Sequence, residues 1–142
     1  MKVFISHAAK DSAAAETLAK ALTEQGHGVV YPNDDLFPGD NWSLKIGRAL
    51  EEAKAMVVLL SPDAMASPSV QGEISYAIAS PRFKGRLIPV MLRKTTHFPW
   101  ILKKLQVVPF VPEIISDRLR ARAPSGRIAF PRPARPALQS VP

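Results

Sequence analysis

Cysteine is absent from the 142 residues, which excludes disulfides, thiolate metal sites and a cysteine nucleophile, and fits a reducing compartment. Long apolar runs are absent too. The longest, Ala55 to Leu60, is far short of the roughly 20 residues that span a bilayer. A strand-like run, Lys2 to Ser6, follows Met1 directly, so no signal peptide is expected and the chain reads as cytoplasmic. Acids are scarce in one part only. Residues 1–80 hold 6 Lys/Arg against 10 Asp/Glu (net −4), whereas residues 81–142 hold 13 against 2 (net +11). The overall +7 therefore does not describe a regular basic face with interleaved aromatics, and specific nucleic-acid binding is not expected. What is present is ordinary for a globular domain, with 46% hydrophobic and 22% charged residues.

Val3-Phe4-Ile5 is a short run of β-formers and reads as a buried strand. Asp11 is placed to cap a helix whose Ala15, Leu18, Ala19 and Leu22 share one face, and Gly26 ends it. Gly28 to Tyr31 reads as a second strand and Asn33 to Gly39 as a loop. Asp40 or Asn41 then caps a helix with Trp42, Ile46, Ala49, Leu50 and Ala53 on one face. Ala55 to Leu60 is apolar without alternation, as in a central strand covered on both sides. After a Ser/Pro-rich loop, Val70, Ile74, Ala77 and Ile78 have helical spacing. Arg86 to Leu92 reads as a fourth strand, Gln106 to Val111 as a fifth, and Pro112 opens a short closing helix. The alternation predicts a parallel sheet with helices on both faces. The expected division is a domain over 1–121 and a Pro/Arg-rich disordered tail over 122–142.

In an open parallel sheet, ligands bind beyond the carboxyl ends of the strands where strand order reverses. For the order 2-1-3-4-5 that crevice lies between strands 1 and 3. It is faced by Ser6 to Ala9, Asn33 to Gly39 and Ser61 to Glu73. Three chemistries are disfavoured there. Strands 1 and 3 end in Ser6-His7 and Ser61-Pro62, a poor supply of carboxylates for a Mg²⁺ phosphoacceptor site. The first loop has no glycine for a dinucleotide fingerprint, and G-x-S-x-G is missing.

Four groups of residues identify a family by their order and spacing. They are Val3-Phe4-Ile5-Ser6-His7-Ala8; Asp34-Asp35-Leu36-Phe37-Pro38-Gly39-Asp40-Asn41-Trp42; Val57-Val58-Leu59-Leu60-Ser61-Pro62; and Glu73 with Ile88-Pro89-Val90. Over roughly residues 2–110 the chain resembles a bacterial TIR (Toll/interleukin-1 receptor) domain. The resemblance implies a flavodoxin-like α/β fold with a five-stranded parallel sheet, and self-association through the loop after strand 2, with Asp34, Asp35, Pro38 and Gly39. It implies one of two functions. Enzymatic members cleave NAD⁺ between nicotinamide and ribose, giving ADP-ribose or a cyclic isomer, in bacterial defence or as effectors. The others act as non-catalytic modules that assemble with further TIR domains.

For the enzymatic branch the resemblance assigns Glu73 as the catalytic glutamate, with His7, Ala8, Phe37 and Ser69 lining the substrate pocket. NAD⁺ is then the substrate, and no cofactor or metal is expected. The chemistry fits one carboxylate. Nicotinamide leaves NAD⁺ as a neutral molecule without a general acid, and the oxocarbenium-like ribose is what needs stabilising. Read without the resemblance, Glu73 is a solvated acid in the first turn of its helix, favoured there by the dipole. His7 is a loop hydrogen-bonder, Asp34 and Asp35 are turn acids, Trp42 is core, and Ser6 and Ser61 satisfy backbone groups at strand ends. Relatives often carry Trp where Ser69 stands, with Phe37 and Trp42 as candidate substitutes. The basic residues that some use against phosphates are replaced by Ala8 and Ala9, leaving Lys10 to compensate.

Overall fold

The computed structural model describes residues 1–31, 42–95 and 99–120, with backbone only for 42–45. Five strands, β1 (Lys2–Ser6), β2 (Gly28–Val30), β3 (Ala55–Leu60), β4 (Leu87–Met91) and β5 (Val108–Pro109), form one sheet in the order β2-β1-β3-β4-β5. Every pairing is parallel. Among the described residues six α-helices accompany them: α1 (Ser12–Glu24), α2 (Trp42–Glu52), α3 (Pro62–Met65), α4 (Pro68–Ala79), α5 (Trp100–Lys103) and α6 (Pro112–Arg120). The expected flavodoxin-like order is the observed one.

Side chains alternate between the faces of a strand, and the strands here sort into two apolar layers accordingly. Phe4, Met56, Val58, Leu60 and Leu87 pack with Ile46 and Leu50 of α2 and Val70, Ile74 and Ala77 of α4. Val3, Ile5, Val57, Leu59 and Ile88 pack with Leu18 and Leu22 of α1 and Ile115 and Leu119 of α6. All six residues of β3 are buried, as a strand covered on both faces requires. Gly26 at φ +92° ends α1, its N–H returning to the Thr23 carbonyl.

Four local expectations change. α4 starts at Pro68, two residues earlier than the apolar spacing suggests, because the Ser67 hydroxyl accepts from the Val70 N–H and Pro68 fits the first turn. Ser61 and Pro62 open the short helix α3 in the same way, within the segment read as loop. Ile78, assigned to the buried face of α4, is 44% exposed. Asp11 makes no capping bond and is buried instead. The expected helix caps Asp40 and Asn41, the side chain of Trp42 and the tail over 122–142 lie outside the described residues. Among the described residues no helix is long and apolar enough to cross a membrane.

Candidate functional site

Ser6 follows Phe4 by two positions, so it leaves β1 on the α2/α4 face of the sheet, at the carboxyl end of the strand. Val70, Ile74 and Ala77 turn the same stripe of α4 toward that face, and Glu73 occupies the i+3 position of this stripe. The two side chains meet. Ser6 Oγ donates to Glu73 Oε1 at 2.6 Å, and Ser69 Oγ, one helical turn back, donates to Oε2 at 3.3 Å.

Glu73 is only 3% exposed and lies in the second turn of α4, so it is not the solvated first-turn acid that the residues alone suggest. Burial pushes its carboxyl up from the ordinary carboxylate range to about 7, and the Ser6 and Ser69 hydroxyls hold that rise back by favouring the charged form. Ser6 is likewise reassigned, since its hydroxyl serves this carboxylate and not a strand-end backbone group.

His7 leaves β1 on the opposite face. It is buried, its Nδ1 lies 3.3 Å from the Ile5 carbonyl oxygen, and its ring is 6.0 Å from that of Tyr31 just past β2. Ala8 is buried in the apolar layer of α2 and α4, where its methyl packs with the core. Ser69 is half-buried, and its hydroxyl is engaged by Glu73. Glu73, Ser6 and Ser69 therefore form one contact group, with His7 and Ala8 on the adjoining loop. Phe37, Asp34, Asp35, Pro38 and Gly39 lie outside the described residues.

Beside this group is a set of charges. Asp11, just before α1, accepts from Ser61 Oγ at 2.5 Å on Oδ2, and its Oδ1 forms an ion pair with Arg93 Nη2 at 2.7 Å. Arg93 Nη2 also pairs with Asp63 at 2.6 Å, and Lys10 lies 3.9 Å from Asp63. The sequence offers Asp11 only as a helix cap and gives no sign of Arg93. An Asp directly before an amphipathic run reads as a cap, yet its place after β1 also puts it at the switch-point crevice, and that was the available signal. Among the described residues no three His, Asp or Glu side chains are grouped as a metal site would require.

The chain matches the family described as TIR domain over residues 3–121. Its structure is similar to the crystallised TIR domain of the Toll-related receptor TRR-2 from Hydra magnipapillata. The TM-score is 0.65 at 19% identity, covering 84% of this chain and 91% of that one. Comparison with curated protein sequences finds no match.

Proposed function

The chain belongs to the TIR domain family, and we propose that it cleaves NAD⁺ between nicotinamide and ribose, with Glu73 stabilising the ribosyl cation. The observation that carries this reading is the placement of Glu73. A carboxyl buried in α4 and aimed at the carboxyl end of β1 is an unfavourable place for an acid with no task, because burial disfavours its charge.

In the proposed reaction the C–N bond breaks with both electrons going to nicotinamide, whose ring thereby becomes neutral. Ionised Glu73, beside the ribose, offsets the positive charge that develops there, and low local polarity strengthens that interaction. Water then captures the cation and loses a proton to give ADP-ribose. Alternatively, an adenine nitrogen of the same substrate captures it to give a cyclic isomer. Ser6 and Ser69 orient the carboxylate from the two sides. His7, Ala8 and Phe37 line the pocket in this reading. Assembly through the loop holding Asp34, Asp35, Pro38 and Gly39 brings the domain to its active state, in bacterial defence or as an effector.

Incubation of the purified chain with NAD⁺ at high protein concentration, following nicotinamide release, tests the reading. Turnover that disappears in Glu73→Gln supports it; no turnover in assembled samples, or full activity in Glu73→Gln, overturns it.

A second reading is a non-catalytic module that assembles with other TIR domains. Two observations favour it. The Ser69 hydroxyl is spent on Glu73 where relatives offer an aromatic ring. Lys10 and Arg93 are paired with Asp63 and Asp11, which reduces the positive charge these two side chains present to a diphosphate.

A further inference from the structure

The Asp11 carboxylate is 4% exposed, yet its partners come from two distant parts of the chain. Ser61, just after β3, donates to one oxygen, and Arg93, two residues beyond β4, forms an ion pair with the other. The backbone of Arg93 is tied to the same place, its N–H donating to the Leu60 carbonyl at 3.2 Å. The loops after β1, β3 and β4 thus converge on a single buried acid.

From Ser61 the contacts run on toward the candidate site. Ser61 Oγ, while donating to Asp11, accepts from the Ala64 N–H at 3.0 Å and so starts α3. The Ala64 carbonyl accepts from Ser67 N–H at 3.1 Å, and Ser67 in turn caps α4 through Val70 N–H at 3.3 Å. Gln71 Nε2 donates to the Met65 carbonyl at 3.2 Å, a second tie between α3 and α4. The first turns of α4, which carry Ser69 and Glu73, therefore hang from Ser61. Hydroxyl donors and acceptors in series hold direction as well as distance, because each geometry constrains the next.

We propose that Asp11 is a positioning residue for Glu73: clamped by Arg93 and itself clamping Ser61, it sets the α3–α4 connection so that the carboxylate of Glu73 meets Ser6 at the carboxyl end of β1. The proposal rests on the NAD⁺-cleaving reading only for its kinetic consequence; the geometric one is independent of any activity. Arg93 reaches Asp11 and Asp63 through the one nitrogen Nη2, so its loss removes the cation from both carboxylates at once.

The test follows the Glu73 carboxyl by carbon NMR in the full chain, wild type against Asp11→Asn and Arg93→Gln, together with NAD⁺ turnover. Arg120→Gln, which breaks an ion pair with Asp117 and hydrogen bonds to Gln25 and Ser116 at the α1–α6 contact, serves as the control for loss of a tethering arginine away from α4. In both clamp variants the Glu73 midpoint moves down from about 7, by about one unit, as water reaches the loosened helix start. It stays in place in Arg120→Gln. Turnover falls by about tenfold to a hundredfold, in kcat and with little change in KM, as for a misplaced catalytic group. Arg93→Lys recovers part of both.

An unmoved midpoint with undiminished kcat in folded Asp11→Asn overturns the proposal. Should Asp11→Asn fail to fold, Arg93→Gln decides by the same two measurements, its side chain being half exposed. If the wild type cleaves no NAD⁺ while the midpoint moves in the clamp variants and not in the control, the positioning stands and the proposed function falls.

Discussion

Ser6 donates its hydroxyl to the Glu73 carboxylate at 2.6 Å, joining the carboxyl end of β1 to the second turn of α4. A hydroxyl donating to a carboxylate favours the ionised form, whereas burial of the same carboxylate favours the neutral one. Burial wins here, and the balance sits near 7. A group poised there changes charge within the ordinary working range of a protein, and its protonation state decides whether it can stabilise a cation.

NAD⁺ cleavage should therefore rise with pH through about 7, because only ionised Glu73 offsets the charge on the ribose. Ser6→Ala removes the larger of the two contributions that lower the carboxyl, so its profile moves to higher pH. Activity at pH 7 is then lost more than activity at pH 9. Nicotinamide release measured from about pH 5.5 to about 9 reads the midpoint as that of the free enzyme in kcat/KM. An unshifted midpoint in Ser6→Ala contradicts the argument.

Glu73→Gln should abolish turnover and stabilise the fold in alkaline solution. The carboxyl is raised from 4.5 to about 7 in the folded chain. Its favourable contribution is therefore complete below about 4.5, and is lost as pH rises through 7. Above that the fold holds a buried charge. The difference is on the order of 3 kcal/mol at most, and a stabilisation of about 1–3 kcal/mol is expected for the amide at pH 8. Gln still accepts from Ser6, and the Ser69 hydroxyl can turn to accept its N–H. Urea midpoints at pH 8 and near pH 5 check this: the gain should shrink at the lower pH, and a variant less stable at pH 8 refutes it.

Most of the architecture was legible because each strand and long helix is a local pattern: the unbroken apolar run of β3, and the stripes of α1 and α2. Glu73 was legible in position but not in environment. It shares the stripe of Val70, Ile74 and Ala77, but an acid in a stripe reads as surface and Ile78 as the buried member; the structure buries Glu73 and exposes Ile78. α3 and the start of α4 were hidden because Ser and Pro are common in loops, although Ser61-Pro62 and Ser67-Pro68 both carry a cap followed by proline. Asp11 with Arg93 could not be read from local pattern at all, since the pair exists only once crossovers bring the ends of β1 and β4 together.

Arg82 holds the end of α2, the helix that follows the loop after β2. Its Nε donates to the Ala53 carbonyl at 3.2 Å and its Nη2 to the Leu50 carbonyl, groups that a helix end leaves without intrahelical partners. The guanidinium also lies 4.9 Å from the centre of the Phe83 ring and 5.6 Å from that of Tyr76. Arg82→Ala should lower stability by about 1–2 kcal/mol, and Arg82→Lys should recover only part, because a point charge cannot span two carbonyls and stack. Urea denaturation measures both, and a full recovery by Lys contradicts the geometry.

Ser69→Trp separates the two readings of the domain. Ser69 donates the weaker of the two bonds to Glu73, at 3.3 Å against 2.6 Å, so losing it leaves Ser6 in place. An indole there places an aromatic ring one turn before the carboxylate. Stacking worth on the order of 1 kcal/mol lowers KM for NAD⁺ about fivefold. The carboxyl, short of one donor, rises further, and the pH midpoint of turnover moves up with it. An enzyme short of a stacking ring therefore gains affinity and shifts its profile, whereas a module that never binds NAD⁺ gains neither. Calorimetric titration of NAD⁺ into wild type and Ser69→Trp, alongside nicotinamide release across pH, distinguishes them. Tighter binding with an alkaline shift supports catalysis at Glu73, and no binding in either protein leaves the assembly module as the function.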